Sequence, residues 1–212
     1  MRVNIIKNTQ SKCFTILAGI AAIILLNACA LFAPQVTTEL KQLRAGQYQT
    51  DPLHTSVIFK INHLGLSTYV GRFNRVQASL DFDPNNMQAA ELQARIDINS
   101  IDVNNADLAQ TLQGSGWFNS AKYPEALFQS HRVIPNASGF RFDGDLTLHG
   151  VTQPLSLQGN FIGGATNLLT GRYTLGFTAR GQITRSKFGL DRYLNMLGDE
   201  VNIEIEAEFL RN

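Results

Sequence analysis

Apolar and polar residues alternate with a period of two along most of this chain, and this pattern limits the fold more than any other feature. Between residues 56 and 63, the side chains of Val57, Phe59 and Ile61 would share one face of an extended strand. The segment 201–209 repeats the alternation, with polar Asn and Glu residues on the other face. Such a period indicates strands that have one buried and one solvated face.

About eight or nine segments of this kind follow one another, and they predict an all-β protein. Their connections are short, which favours antiparallel neighbours. The stretch 106–113 differs, because Leu108 and Leu112 are four residues apart and Gly114 follows, as in a short helix. A sandwich or an up-and-down barrel would fit these strands. We favour the barrel, whose lumen can hold one small ligand when eight strands close it.

Residues 1–28 predict a signal peptide. Arg2, Lys7 and Lys12 form a basic start, and the apolar run that follows is too short to span a bilayer comfortably. The run ends in Leu-Asn-Ala-Cys, which resembles the lipobox of bacterial lipoproteins, in which the cysteine, here Cys29, is acylated after cleavage. The alternative is an ordinary cleaved signal followed by a coincidental cysteine.

The sequence therefore predicts a signal peptide at 1–28, a tether at 29–46 and one barrel domain at 47–212. The tether would be a flexible arm or a brief helix. Without the signal, 15 of the 18 basic residues remain against 17 acidic ones, a formal charge of −2 that argues against nucleic-acid binding. Because Cys13 is removed and Cys29 is acylated, no disulfide can form within the mature chain, and its core must stabilise the fold.

The apolar faces of the strands form the candidate ligand site. Large side chains alternate there with small ones such as Ala94 and Ala179, and small positions would leave space along a channel. The alternative is a solid core, because small barrels are often filled by their own side chains. The residue pattern alone leaves both interpretations open. The predicted lumen residues are Val57, Phe59, Ile61, Leu80, Phe82, Ala94, Ile96, Phe142, Leu146, Leu175, Phe177 and Ala179.

Arg185 and Lys187 are the candidate contacts for a polar ligand head. Two cations near the rim of a barrel would suit an anion, whereas the alternative is a pair of solvated surface charges.

The sequence lacks recognisable catalytic and metal-binding motifs. His54, His63, His131 and His149 do not have the spacing of a zinc site, and we expect them to bond backbone groups or turns. A Gly-x-Ser-x-Gly elbow and a glycine-rich phosphate loop are missing. We therefore expect a binding protein without a metal or cofactor, not an enzyme. The alternatives are an enzyme that acts on an apolar substrate in the same pocket and an interaction protein with a plugged barrel.

Seven motifs between about Gln47 and Leu210 resemble the YceI-like family of bacterial polyisoprenoid-binding proteins. Val103 departs from the family pattern, which usually has Thr there, and Lys187 replaces an often acidic residue. The lipobox is a further departure, since many family members are soluble periplasmic proteins. The motifs comprise Asp51, His54, Thr55, Phe59; His63, Leu64, Gly65, Gly71, Phe73; Ser100, Ile101, Asp102; Tyr123, Pro124, Phe128, Ser130; Gly144, Leu146, Thr147, Gly150, Val151, Thr152, Pro154; Arg185, Ser186, Phe188, Gly189, Leu190; and Gly198, Asp199, Glu200, Val201.

The resemblance implies a lipocalin-like antiparallel β-barrel with an extended apolar pocket. It also implies that the ligand is a long isoprenoid or a quinone-like lipid, held without covalent chemistry for sequestration or transfer. With Cys29 carrying fatty acyl chains such as palmitate, we expect a periplasm-facing lipoprotein anchored in a bacterial membrane. Ala30, instead of Asp, after the cysteine favours sorting to the outer membrane. A homodimer is compatible with the sequence.

Overall fold

The structure is a computed structural model that describes residues 34–136 and 139–212. The predicted signal peptide, Cys29 and the first residues of the tether lie outside this part of the chain. The described residues form one α-helix, α1 (Ala106–Gln113), several short 3-10 turns and eleven strands. The strands are β1 Gly46–Thr50, β2 Ser56–His63, β3 Ser67–Phe73, β4 Val76–Phe82, β5 Glu91–Asp97, β6 Ile101–Asp102, β7 Glu125–Asn136, β8 Gly139–Leu148, β9 Val151–Thr166, β10 Tyr173–Thr184 and β11 Leu197–Arg211.

Eight of the strands close into an antiparallel ring. Its order is β1-β4-β5-β7-β8-β9-β10-β11, and β11 pairs back with β1 through Thr50 and Phe209. The all-β fold and the antiparallel barrel of eight strands are therefore confirmed, as is the single short helix within residues 34–136 and 139–212, and the sandwich is not the fold. A closed ring leaves no free edge in this part of the sheet, which removes the usual route to edge-to-edge association.

Three more strands extend the barrel wall beyond the ring on one side. β2 continues from β1 along β11, β3 pairs with β2, and the two-residue β6 pairs with the end of β3. In the described chain, β6 and β7 are not paired with each other, so the ladder is interrupted there. The segment between them, residues 103–124, contains α1. Asn105 caps this helix, since its side-chain oxygen accepts a hydrogen bond from the Leu108 amide. We call this end of the barrel the mouth.

The opposite end, which we call the closed end, is filled by side chains. Tyr48, Phe82 and Leu175 are almost completely buried, and the rings of Tyr48 and Phe82 meet edge to face. The Tyr48 hydroxyl donates a hydrogen bond to the Arg44 carbonyl, and burial raises the pKa of this tyrosine to about 12. From the segment predicted as a tether, Leu43 also enters this core. The barrel is thus open at the mouth and plugged at the other end.

The outer surface of the barrel carries the polar half of the alternation. Lys60 pairs with Glu204 across β2 and β11, and Arg95 pairs with Glu125 across β5 and β7, each at 2.7 Å. Such exposed pairs contribute about 0–1 kcal/mol each, so the stability comes mainly from the apolar interior. Within the described residues, no helix has the length and apolar character needed to cross a membrane.

Candidate ligand-binding site

The lumen contains two adjoining chambers. The mouth chamber has a volume of about 430 Å³, and the inner chamber, closer to the closed end, has a volume of about 110 Å³. Val57, Ile96, Leu146 and Ile203 line both, so they form the junction. The solid-core alternative required side chains to fill the barrel completely. The two chambers show that they do not.

The inward face of β2 forms one wall of the mouth chamber, as the alternation predicts. Val57, Phe59, Ile61 and His63 all line it. Phe59 lies opposite Gly71 of β3, where a Cβ atom would come within 2.3 Å of the phenylalanine ring. Only glycine at that position leaves room for the ring, so Phe59 and Gly71 together set the width of the chamber here.

The inner chamber owes its space to small side chains. Ala94, Ala179 and Gly159 line it beside the large rings of Phe142 and Phe177. The Phe177 ring also packs edge to face against two neighbouring phenylalanines, which fixes it in place.

The apolar wall of the inner chamber also contains three threonines, Thr50, Thr55 and Thr178, which add a few polar atoms. The Thr50 hydroxyl is satisfied, because it accepts a hydrogen bond from the Ala78 amide. The Thr55 hydroxyl is buried without a hydrogen-bond partner among the described residues. The lining as a whole remains apolar, and it can bind a hydrocarbon chain but offers little to a charged one.

The structure places ten of the twelve predicted lumen residues on the walls of the chambers. The other two, Phe82 and Leu175, face inward but lie in the core of the closed end. The ten that line the lumen are Val57, Phe59, Ile61, Leu80, Ala94, Ile96, Phe142, Leu146, Phe177 and Ala179.

A second group of lining residues comes from the helix and the mouth loops, and sequence reasoning missed it. Leu108 and Leu112 of α1 face the mouth chamber, and the four-residue spacing that predicted the helix was a usable signal for that face. The remaining members have no period that would have identified them. They are Leu64, Trp117, Phe118, Leu190, Tyr193 and Met196.

Arg185 lies in the wall of the mouth chamber but is buried, with only 5% of its surface exposed. Its guanidinium donates hydrogen bonds to the carbonyl oxygens of four residues in the β10–β11 connection and the start of β11, namely Leu190, Arg192, Leu197 and Gly198. These contacts occupy most of its five donors. Arg185 therefore holds the β10–β11 connection in place, and the geometry favours this role over contact with a ligand head.

Lys187, the second head-group candidate, is exposed and does not line either chamber. The neighbouring Ser186 donates two hydrogen bonds to the Asp199 carboxylate, from its amide at 2.9 Å and from its hydroxyl at 2.7 Å. Burial alone would raise the pKa of Asp199, but these bonds and the charges of Arg185 and Lys187 outweigh it and hold the pKa below its usual value.

The Asp51–His54 pair lies where the chain passes from β1 to β2. One carboxylate oxygen of Asp51 accepts a hydrogen bond from the Leu53 amide, and the other lies 3.0 Å from His54 Nδ1. The bond with His54 lowers the pKa of Asp51 and raises that of His54. Glu208 brings a third ligand-type atom within 4.8 Å, which makes this the one described cluster that could hold a metal ion. Asp51 and His54 lie in the same turn, so their contact is explained without a metal ion.

The other histidines differ in their surroundings. His149 bonds the Phe188 carbonyl through Nδ1 and packs edge to face on Tyr123. His131 pairs with Asp145 at 2.8 Å on the outer surface. His63 faces the lumen beside the ring of Tyr69.

The chamber volumes set the size of a ligand chain. A cavity of about 150 Å³ holds one benzene molecule, so on that scale the mouth chamber has room for about 17 carbon atoms and the inner chamber for about four. Together they match about four isoprene units. The fold and the site thus define a small antiparallel barrel that is open at one end and has an apolar lumen long enough for a lipid chain.

The chain belongs to the YceI-like domain family, whose pattern it matches over residues 48–209. A relative from Yersinia pestis (strain Pestoides F), described as a UPF0312 protein, is 36% identical over 166 residues, which cover 77% of this chain and 86% of the relative. The resemblance to this family is therefore confirmed.

Solved structures show the same fold. The crystal structure of BcnA from Burkholderia cenocepacia covers 75% of this chain and 98% of its own, with a TM-score of 0.68 and 22% identity. A polyisoprenoid binding domain from Saccharophagus degradans, described as implicated in plant cell wall breakdown, covers 80% of this chain and 100% of its own, with a TM-score of 0.53 and 14% identity. At these identities the likeness establishes the lipocalin-like barrel and nothing finer.

Proposed function

We propose that this protein binds a long isoprenoid or a similar amphiphilic lipid in the barrel lumen and sequesters or transfers it without covalent chemistry. The observation that carries the proposal is the pair of adjoining apolar chambers, which begins at the mouth and extends towards the closed end. Each methylene moved from water into such a lumen contributes about 0.8 kcal/mol. A chain of about 20 carbon atoms gains enough to exceed the cost of association, which is of the order of 4–15 kcal/mol.

The family supports the choice of ligand. The Saccharophagus degradans domain is described as polyisoprenoid binding, and it shares this barrel. A branched isoprenoid chain needs a channel with both wide and narrow points, and the alternation of Phe142 and Phe177 with Ala94 and Ala179 provides one. A longer polyisoprenoid would leave its polar head outside the mouth.

Binding without catalysis fits the chemistry of the lining. The arginine in the wall, Arg185, has its donors directed at backbone carbonyls, and His63 lies beside an aromatic ring instead of a carboxylate. A polar head at the rim would meet Lys187 from the solvent side. Exchange of Lys187 for Gln should then weaken binding of a polyprenyl phosphate more than binding of a neutral quinone, and equal effects on both would leave Lys187 as a surface charge.

We also propose that the mature protein is anchored through an acylated Cys29 and faces the periplasm. The support is the basic start, the short apolar run and the small residues directly before the cysteine. Ala30 supports the outer membrane as the site of the anchor. Recovery of the protein only from inner-membrane fractions would contradict that part.

Mass spectrometry of lipids extracted from the purified protein tests the central proposal. Wild-type protein should carry an isoprenoid lipid, and Ile203→Trp, which places an indole at the junction of the two chambers, should carry much less. Asn202→Trp is the matched control, since Asn202 is the next residue on β11 but lies exposed on the outer face. The proposal fails if the wild type carries no lipid, or if both variants retain as much as the wild type.

A further inference from the structure

A second apolar feature lies outside the lumen, at the closed end. The β9–β10 loop, residues 167–172, carries two adjacent leucines at its tip. Leu168 is 54% exposed. Leu169 is 97% exposed, and this is the highest exposure of any large apolar side chain in the described residues. Neither lines a chamber. A contiguous group of exposed apolar side chains is typical of a surface that meets a membrane or a protein partner.

Local hydrogen bonds fix the shape of this loop. The Asn167 side-chain oxygen accepts bonds from the Leu169 amide at 2.9 Å and the Thr170 amide at 3.2 Å. The Gly171 amide bonds back to the Asn167 carbonyl at 2.8 Å, and Gly171 has a positive φ of 69° that suits glycine. The leucines are therefore presented by an ordered turn and do not fold back onto the barrel.

The N-terminal part of the chain reaches the barrel at this same end. Thr37 forms a bridge with Gly164 of β9, and the neighbouring Val36 lies against Gly163. Val36 and Ile162 are more than half exposed, so the apolar surface extends beyond the loop.

The short stretch between Cys29 and the barrel limits which end can meet the membrane. Cys29 is eight residues before Thr37, which bridges to Gly164 of β9, and eight extended residues span at most about 29 Å. The 15 residues of β11 are about 50 Å long, and at a barrel tilt of about 40° they rise about 38 Å from closed end to mouth. An acyl chain on Cys29 thus reaches a bilayer at the closed end easily, whereas the mouth lies at or beyond the full extension of the stretch between Cys29 and Thr37.

Exposed cations accompany the leucines. Arg172 is the last residue of the loop, and Arg44 lies over the ring of Tyr173 at the same end, 4.5 Å from the ring centre. Arg211, at the end of β11, is exposed beside them. Leucines flanked by arginines suit the boundary of a phospholipid bilayer, where the apolar tips enter the acyl region and the cations meet phosphates.

We propose that Leu168 and Leu169 insert into the anchoring bilayer, so that the protein stands on its closed end with the mouth directed away from that membrane. The proposal rests on the acylation of Cys29 stated above. It commits to a phospholipid surface as the partner of the loop, and it has a functional consequence: ligand enters and leaves on the side away from the anchoring membrane.

A single-thiol labelling experiment on the full-length, acylated protein tests this orientation. Cys13 leaves with the signal and Cys29 is acylated, so an introduced cysteine is the one free thiol. Leu169→Cys and Leu66→Cys are each labelled with the same polarity-sensitive fluorophore and reconstituted into vesicles of phosphatidylethanolamine and phosphatidylglycerol. Leu66 is the matched control, because it is 83% exposed but lies on the β2–β3 loop at the mouth.

We expect the label at position 169 to shift to shorter emission wavelength and to lose most of its fluorescence when the vesicles contain nitroxide lipids, while the label at 66 changes little. Adding Leu168→Asn to Leu169→Cys should reduce the shift. Quenching at 66 alone, at both positions or at neither overturns the proposal. The mass of the same sample verifies the acyl chain, and its absence would refute the anchoring itself. An empty lumen, by contrast, would refute the carrier function and leave this measurement unaffected.

Discussion

Filling the inner chamber should shorten the ligand that the barrel accepts while leaving the barrel itself intact. Ala179 of β10 lines that chamber and lies opposite Ile205 of β11 and Gly159 of β9. Exchange of Ala179 for Leu adds three carbon atoms to a chamber of about 110 Å³, which on the benzene scale has room for about four. The new side chain therefore occupies space that ligand carbons would otherwise fill.

The expected loss follows from the three displaced carbons. At about 0.8 kcal/mol each they contribute about 2.4 kcal/mol, so the Kd of a chain that reaches the inner chamber should rise about 60-fold. A chain of about three isoprene units fits within the mouth chamber alone and should bind unchanged. Because the substitution fills a cavity, the thermal midpoint of the lipid-free protein should stay the same or rise.

Titration of delipidated protein with geraniol, farnesol and geranylgeraniol measures the effect, with Glu206→Leu on the outer face of β11 as the control. Only geranylgeraniol should lose affinity for Ala179→Leu. Equal losses for all three alcohols would refute the proposed path of the ligand. A drop in the thermal midpoint that corresponds to about 1–3 kcal/mol would instead show that Ala179 sits in an already dense core.

Three further outcomes are expected. Cys29→Ser should abolish incorporation of a fatty-acid probe, and equal labelling of mutant and wild type would contradict the lipobox. Arg185→Gln should leave buried carbonyls unpaired, each costing about 1–3 kcal/mol, and should lower the thermal midpoint far more than Lys187→Gln does. His54 has a raised pKa and Asp51 a lowered one, so the stabilisation by their contact should be lost as pH rises through the His54 pKa, above 6.5, and as pH falls through the Asp51 pKa, below 3.8. His54→Gln should therefore flatten the midpoint-versus-pH curve on the alkaline side, and an unchanged curve would contradict this assignment.

Much of the barrel was predictable because period two reports which face of a strand is buried. The period does not report how far along the barrel axis a residue lies. It therefore predicts Phe82 and Leu175 as lumen residues, although they fill the closed end. Distinguishing the two locations requires the stagger of neighbouring strands, which depends on pairing between residues far apart in the sequence.

Local irregularities account for other differences. The alternation in β7 blurs at His131 because a β-bulge between Ser130 and Arg132 shifts the register against β8, and two successive side chains then face outward. Gly163 and Gly164 look like the end of a strand, yet β9 continues through them. Glycine is needed there because the N-terminal segment crosses closely: a Cβ on Gly164 would lie 2.7 Å from the Leu43 side chain.

The role of Arg185 could not be predicted from the sequence for a different reason. A cation near a loop ordinarily suggests a surface charge or an anion contact. Its partners here are backbone carbonyls, which every residue possesses and which therefore leave no trace in the sequence. Only the path of the β10–β11 connection reveals them.

The balance of the lumen's interactions decides what kind of specificity the barrel can have. One isoprene unit of five carbons contributes about 4 kcal/mol when buried, whereas an exposed ion pair, such as Lys187 with an anionic head group, contributes about 0–1 kcal/mol. Because the chamber walls are apolar, a contact between Lys187 and a head group at the rim cannot compensate for the loss of even one unit inside. The length and branching of the chain should thus determine affinity, and the head group should only modulate it. Ligands with different heads but equal chains should then compete for the same barrel at similar concentrations, while a protein that recognised the head would separate them by more than tenfold.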